Sequence, residues 1–236
     1  MSDKALLTIN VSDPLRITQG GFLSENSRQS FKDACRRWDC DYVEYTTVGG
    51  HHPAFFKLKA FDLCPHDRIM VLDADTIVRD DTPSPFDMTD PEYFHASQNE
   101  QEHQAPHVRR IHQQMALESL KSILTTKPIE SLVDADYIKE NFFNSGMLII
   151  SREYHQPVMS LAWYLNEYVT SNWLDQLPLN LAVFAFLGGY VDMGPAWNYQ
   201  IPQDYKNMNA YIYHFSGDPR RYDLLNTVNW HVERVT

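Results

Sequence analysis

The feature that most constrains this chain is an apolar run that stops on two acids. Residues 68–72 (RIMVL) are followed at once by Asp73-Ala74-Asp75. A buried strand cannot carry carboxylates through a sheet, so Asp73 and Asp75 mark where the strand emerges. In open α/β sheets that carboxyl edge is where ligands bind. Alternation along an extended segment predicts that residues 73 and 75 face the same side. Two carboxylates so placed repel, and a cation between them relieves the repulsion. Oxygen ligands favour Mg2+ or Mn2+ over zinc. The competing reading is that the two aspartates only end the strand and open the proline-containing loop TPSPFD behind it.

The surrounding pattern predicts an α/β fold. Residues 5–11 read as a buried strand. Ser24 can cap a helix in which Phe31, Ala34, Cys35 and Trp38 recur at helical spacing, and 41–46 read as a second strand. A crossover helix between two strands implies that they pair in parallel. Further on, a helix is predicted near 54–63 and a polar helical stretch over 99–140. A turn at Asn144-Ser145-Gly146 precedes a strand at 147–150. Helices follow at 157–170 and 176–186, with short strands at 190–192 and 211–215. No repeat or linker interrupts the chain, so 1–236 reads as a single domain.

Composition excludes some functions. Lys+Arg total 20 against 31 Asp+Glu, a net charge of -11, which argues against sequence-independent nucleic-acid binding. The three cysteines, an odd number without CxxC spacing, read as reduced thiols of a cytoplasmic protein. The N-terminus has no long apolar stretch of the signal-peptide kind, and no run of 18 apolar residues exists. Contact with a membrane is therefore expected to be peripheral.

A second strand ending in a polar group lies in YIYHFSGDPRR, residues 211–221. His214 could be a third metal ligand beside Asp73 and Asp75, or a structural histidine at a strand end. A mixed O,O,N set moves the preference toward Mn2+. Gly217 permits close backbone approach to a ligand, and Arg220 and Arg221 suit phosphate oxygens.

Taken in order, FKLKAFDLC, VLDADTIVRDDTPSPFD, FFNSGMLIIS, DQLPLN, WNYQ and HFSGDPR resemble GT-A fold glycosyltransferases, most closely the family 8 group of glycogenin and lipopolysaccharide galactosyltransferases. The resemblance covers most of the chain, from Lys57 to Arg221. It implies a Rossmann-like, mixed but mostly parallel central sheet with flanking helices. Residues 1–98 would form the nucleotide-binding part ending in DxD, and 99–236 the acceptor-side part with the metal-closing histidine. It implies that Asp73, Asp75 and His214 hold Mn2+ (or Mg2+) against the diphosphate of a nucleotide sugar, with Ala74 between the two aspartates. Gly217 and Arg220 match a glycine and a lysine position of an HxxGxxK-like motif. Lys57 stands where relatives place an arginine that touches sugar or phosphates. Asn144, Asp175 and Gln176 match positions near the donor sugar, Gln176 nearest the reacting carbon. Asn10 is assigned to the nucleotide. The activity implied is transfer of a hexose, from a donor that is UDP-linked as is common in the family, to a hydroxyl of a glycan, a lipid-linked glycan or a protein, with retention. An inverting route would need a carboxylate base, for which Asp175 and Asp192 are the candidates.

Plainer readings stand beside these. Asn144-Ser145-Gly146 can be only a tight turn, and Asp175 only a helix cap. Lys57 can be a solvated helix residue. His103, His107 and His112 read as a solvated polar face. Trp163, Tyr164 and Tyr168 read as core, while Trp197 and Tyr199 flank a loop where stacking on an acceptor is one option. Two other functions compete: a haloacid-dehalogenase-type phosphatase using the DxD aspartates, and a GT-A module that binds nucleotide sugar or glycan without turnover.

Overall fold

The computed structural model describes residues 2–11, 23–47, 53–98, 135–167, 175–200 and 210–215. The expectations for Gly217, Arg220, Arg221, Tyr168 and the histidines at 103, 107 and 112 lie outside the described residues.

The predicted β-α-β opening is present. Strand β1 (Lys4–Val11) leads to helix α1 (Glu25–Trp38) and strand β2 (Asp41–Thr47), and β2 pairs with β1 in parallel. Ser24 caps α1 by accepting from the Ser27 backbone N–H at 3.0 Å. A 3-10 segment (Pro53–Lys59) and short α2 (Ala60–Leu63) precede β3 (Arg68–Leu72). Then come β4 (Thr76–Val78), α3 (Pro85–Met88), β5 (His95–Gln98), α4 (Ala135–Glu140), β6 (Phe143–Ser151), α5 (Arg152–Asn166) and α6 (Gln176–Leu187). The described chain closes with β7 (Val191–Asp192), a 3-10 turn (Pro195–Trp197), β8 (Tyr199–Gln200) and β9 (Ile212–His214).

Six strands form the central sheet in the order β2-β1-β3-β6-β5-β7. Only β6 runs against its neighbours; β1, β2 and β3 are parallel, as are β5 and β7. This is the α/β fold that the residue pattern predicts and the mixed, mostly parallel sheet that the resemblance implies. A smaller sheet, β4-β9-β8, stands at the end of β3.

Alternation splits the core between the two faces. Ala5, Leu7, Ile9, Ile69, Val71, Leu148 and Ile150 pack with Val158, Ala162, Leu177 and Leu181 of α5 and α6. Leu6, Met70, Leu72, Met147 and Ile149 face the other way, onto Phe31, Ala34 and Trp38 of α1. Strands buried on both faces need continuous apolar runs, which RIMVL and MLII supply. Helix α6 is buried on every side from Gln176 to Phe184, which explains why it is apolar around its circumference there, and it ends at Gly188 with φ 75°.

Several local expectations are corrected. Asn144-Ser145-Gly146 is no turn: it lies inside β6, where the register against β5 jumps between Ala96–Leu148 and Ser97–Asn144. The three residues between are a bulge, which uses the same residue types as a turn. Helix α5 begins at Arg152, five residues ahead of Pro157, which sits inside it. Tyr164 is half-exposed rather than core, whereas Trp163 packs against the core. Trp197 is buried and tilted against Tyr211 with ring centroids 5.1 Å apart, so it offers no face to an acceptor.

Candidate metal centre

The two aspartates meet by a route other than strand alternation. Strand β3 stops at Leu72, and residues 73–76 form a tight turn. The Thr76 N–H and hydroxyl donate to the Asp73 carbonyl at 3.2 and 2.8 Å. The Asp73 N–H donates to the Gly146 carbonyl at 3.0 Å, which continues the β3–β6 ladder by one step. Beyond the turn, β4 pairs with β9 so that Thr76 stands opposite His214. The Phe215 N–H then donates to the Asp75 carbonyl at 2.9 Å. The small sheet thus carries a histidine from the far end of the sequence to the DxD turn.

One ligand atom from each of Asp73, Asp75 and His214 lies within 4.8 Å of the other two. His214 Nε2 is 3.4 Å from Asp75 Oδ1 and 3.6 Å from Asp73 Oδ2. Asp75 and His214 are buried, whereas the Asp73 side chain is 28% exposed and forms the open side of the cluster. Burial lowers the His214 pKa, but Asp75 and then Asp73 outweigh it and hold the imidazole above its ordinary value. Burial raises the Asp75 pKa, and His214 overcomes that and holds the carboxyl below the usual range.

Lys57 lies beneath the cluster, buried rather than solvated. Its ammonium is 2.7 Å from Asp73 Oδ1 and 2.9 Å from Asp175 Oδ2, and it donates to the Ser145 carbonyl and hydroxyl at 3.2 Å. Burial pulls the Lys57 pKa down, but Asp175 and Asp73 together carry it above its ordinary value, so it stays charged. Burial pushes Asp175 up, opposed by Lys57. Taken as charged groups, the carboxylates of Asp73, Asp75 and Asp175 outnumber this ammonium by two. A divalent cation cancels that excess, and the O,O,N donor set suits Mn2+. Asp175 stands just before α6, but its backbone is helical and its side chain makes no cap bond. The cap reading of Asp175 is therefore corrected: the carboxylate serves Lys57.

Carboxamides line the other side. Asn144 Oδ1 accepts from the Gly146 N–H at 2.7 Å and from Asn198 Nδ2 at 2.9 Å. Its Nδ2 donates to Gln176 Oε1 at 3.4 Å. This direction leaves Gln176 Nε2, on a side chain placed at the first turn of α6, buried and without a hydrogen-bond partner among the described residues. An unpaired buried donor costs stability unless a ligand meets it.

The remaining expected residues fall as follows. Ala74 is buried within the turn. Asn10, the last residue but one of β1, donates to Glu44 Oε1 at 2.7 Å, so its amide is tied to β2. Gly217 and Arg220 follow His214 outside the described residues. Two participants escaped the sequence reading: Ser145, a partner of Lys57, and Asn198, a fully buried carboxamide bonded to His214 Nδ1 at 2.9 Å. The only signal for Asn198 was its place in WNYQ.

No protein-family model matches the chain, and no curated protein matches it in sequence. Solved structures do resemble it. A glycosyltransferase involved in the glycosylation of the major capsid of PBCV-1 superposes with TM-score 0.59 at 14% identity, over 95% of this chain and 99% of that one. The apo form of the glycosyltransferase GlyE of Streptococcus pneumoniae TIGR4 gives 0.55 at 15% identity, over 97% of this chain and 61% of that one. The bifunctional glycosyltransferase WbbM gives 0.54 at 11% identity, over 92% of this chain and 47% of that one. The fold is that of the GT-A glycosyltransferases.

Proposed function

We propose that the protein is a metal-dependent glycosyltransferase that moves a hexose from a UDP-linked donor to a hydroxyl acceptor, with retention at the anomeric carbon. The observation that carries this reading is the convergence of Asp73, Asp75 and His214 at the edge of a glycosyltransferase-like sheet. A phosphatase using the same aspartates would leave the buried histidine in that cluster without a task.

In this reading Asp73, Asp75 and His214 hold Mn2+ or Mg2+. When bound, the ion supplies Lewis-acid stabilisation of the diphosphate leaving group. Lys57 fixes Asp73 from below through its 2.7 Å ion pair and so holds that carboxylate in place for the task. Gly217 and Arg220 are assigned to the diphosphate by the resemblance alone, a glycine permitting close backbone approach and an arginine a planar cation. Asn144 orients Gln176, whose unpaired Nε2 donates to a sugar hydroxyl or the leaving oxygen. Asp175 is held by Lys57 beside the sugar. Asn10 serves the nucleoside from the end of β1. The acceptor is a hydroxyl of a glycan, a lipid-linked glycan or a protein. Buried free thiols at Cys35 and Cys64 fit a reducing, cytoplasmic setting. No helix among the described residues is long and apolar enough to cross a membrane.

The test is hydrolysis of a panel of nucleotide sugars with and without Mn2+. The reading expects turnover of a UDP-sugar that stops with chelator and returns with Mn2+. Metal-independent turnover, or phosphatase activity on p-nitrophenyl phosphate in its place, would contradict it.

A further inference from the structure

A histidine can ligate a metal through either ring nitrogen, and the choice follows from what the other nitrogen bonds. His214 Nδ1 lies 2.9 Å from Asn198 Oδ1, while Nε2 faces Asp73 and Asp75. Whether the Asn198 amide really turns its oxygen to the ring is answered by the chain of bonds behind it. The Gly146 backbone N–H can only donate, so the Asn144 atom it meets at 2.7 Å is the oxygen. That same Asn144 oxygen lies 2.9 Å from Asn198, so the Asn198 atom there is the NH2. The Asn198 oxygen is therefore the atom at His214, and it can only accept. The proton of the neutral ring is placed on Nδ1, and the Nε2 lone pair points into the carboxylate cluster.

We propose that Asn198 is a positioning residue that fixes His214 as the Nδ1–H tautomer, with Nε2 free to bind a metal, and that its own orientation is set by the backbone N–H of Gly146 through Asn144. In the described bonds Asn198 meets His214 and Asn144 and neither carboxylate. It is fully buried, so no water substitutes for the bond. The metal-binding consequence rests on the function proposed above; the tautomer does not.

The experiment is long-range 1H–15N NMR of the metal-free protein at a pH where the ring is neutral, with His214 assigned by comparison with H214Q. Mn2+ affinity is measured in parallel by calorimetry, and folding of each variant by thermal melting. Wild type is expected to show a protonated Nδ1 and an unprotonated Nε2. N198L is expected to lose that single tautomer and to bind Mn2+ about 10–100-fold more weakly. N198D still offers an acceptor oxygen to Nδ1–H and is expected to keep the tautomer, at a cost in stability because its second oxygen meets Asn144 Oδ1. A wild-type ring protonated on Nε2 would overturn the proposal. So would a folded N198L with unchanged tautomer and Mn2+ affinity, or, should N198L not fold, a folded N198D that has lost the tautomer. Wild type that shows the Nδ1–H tautomer but takes up no Mn2+ would support the positioning role and count against the metal reading alone.

Discussion

Gly146 and His214 are packed so closely that a methyl group on the glycine would stand 2.3 Å from the histidine Cε1 and 2.7 Å from Nδ1. The bulge in β6 thus presses a bare Cα against the imidazole while its N–H holds Asn144. Glycine is required here for close approach. The G146A variant should therefore push the ring out of the cluster. Mn2+ affinity is expected to fall about 10–100-fold, as when the support of a metal-bound histidine is lost. Calorimetry on a variant shown to be folded by its melting profile checks this; an unchanged Mn2+ affinity would refute the packing argument.

Lys57 gives a prediction about stability. It is buried with two carboxylate partners, and removing one member of a buried ion pair strands the charge that remains. K57M is expected to lose about 3–5 kcal/mol in urea denaturation. The double variant K57M/D175N should recover part of that loss, because the stranded charge at residue 175 is gone. A double variant no more stable than K57M would show that Asp175 is not the group Lys57 compensates.

The unpaired amide of Gln176 is specific enough to be tested by one atom. Q176E keeps an oxygen for Asn144 Nδ2 and loses the free donor. If that donor meets charge developing in the transition state, kcat should fall about 10²–10³-fold while nucleotide affinity changes little. Steady-state kinetics and UDP titration separate the two. A Q176E enzyme with wild-type kcat would remove Gln176 from the mechanism.

How much of this was legible in the sequence can be judged residue by residue. The α/β frame was, because RIMVL and the Phe31, Ala34, Cys35, Trp38 stripe each have one sensible burial. Asp73 and Asp75 were legible as the end of a strand, although the tight turn that brings them together was not. The bulge that follows Asn144 in β6 was misread as a turn because asparagine, serine and glycine suit turns and bulges alike. The resemblance put Lys57 at the donor, but its burial and its pairing with Asp175 were not legible, since that partner is over a hundred positions away and only tertiary pairing buries it. Asn198 was invisible for a related reason: its role is set by a hydrogen bond to a residue on another strand.

His155 should make the fold sensitive to acid. It is fully buried, its Nδ1 accepts from the Ser151 N–H at 2.9 Å, and its ring meets Phe94 edge-on. Burial pushes its pKa down to about 4, from an ordinary value of 6.5. The unfolded chain therefore takes up this proton first. Stability from this group is constant above about pH 6.5 and declines as the pH falls toward 4. Urea midpoints measured at pH 7 and pH 4.5 should drop less in H155L than in wild type, whatever the variant's absolute stability. An equal drop would assign the acid sensitivity elsewhere.

The most direct test of the central claim is a Mn2+ titration of the wild-type protein, D75N and H214A, followed by calorimetry. One Mn2+ per chain should bind the wild type and fail to bind either variant, with thermal melting showing both still folded. Equal uptake by the wild type and D75N, or none by the wild type, would contradict a metal centre built from Asp73, Asp75 and His214.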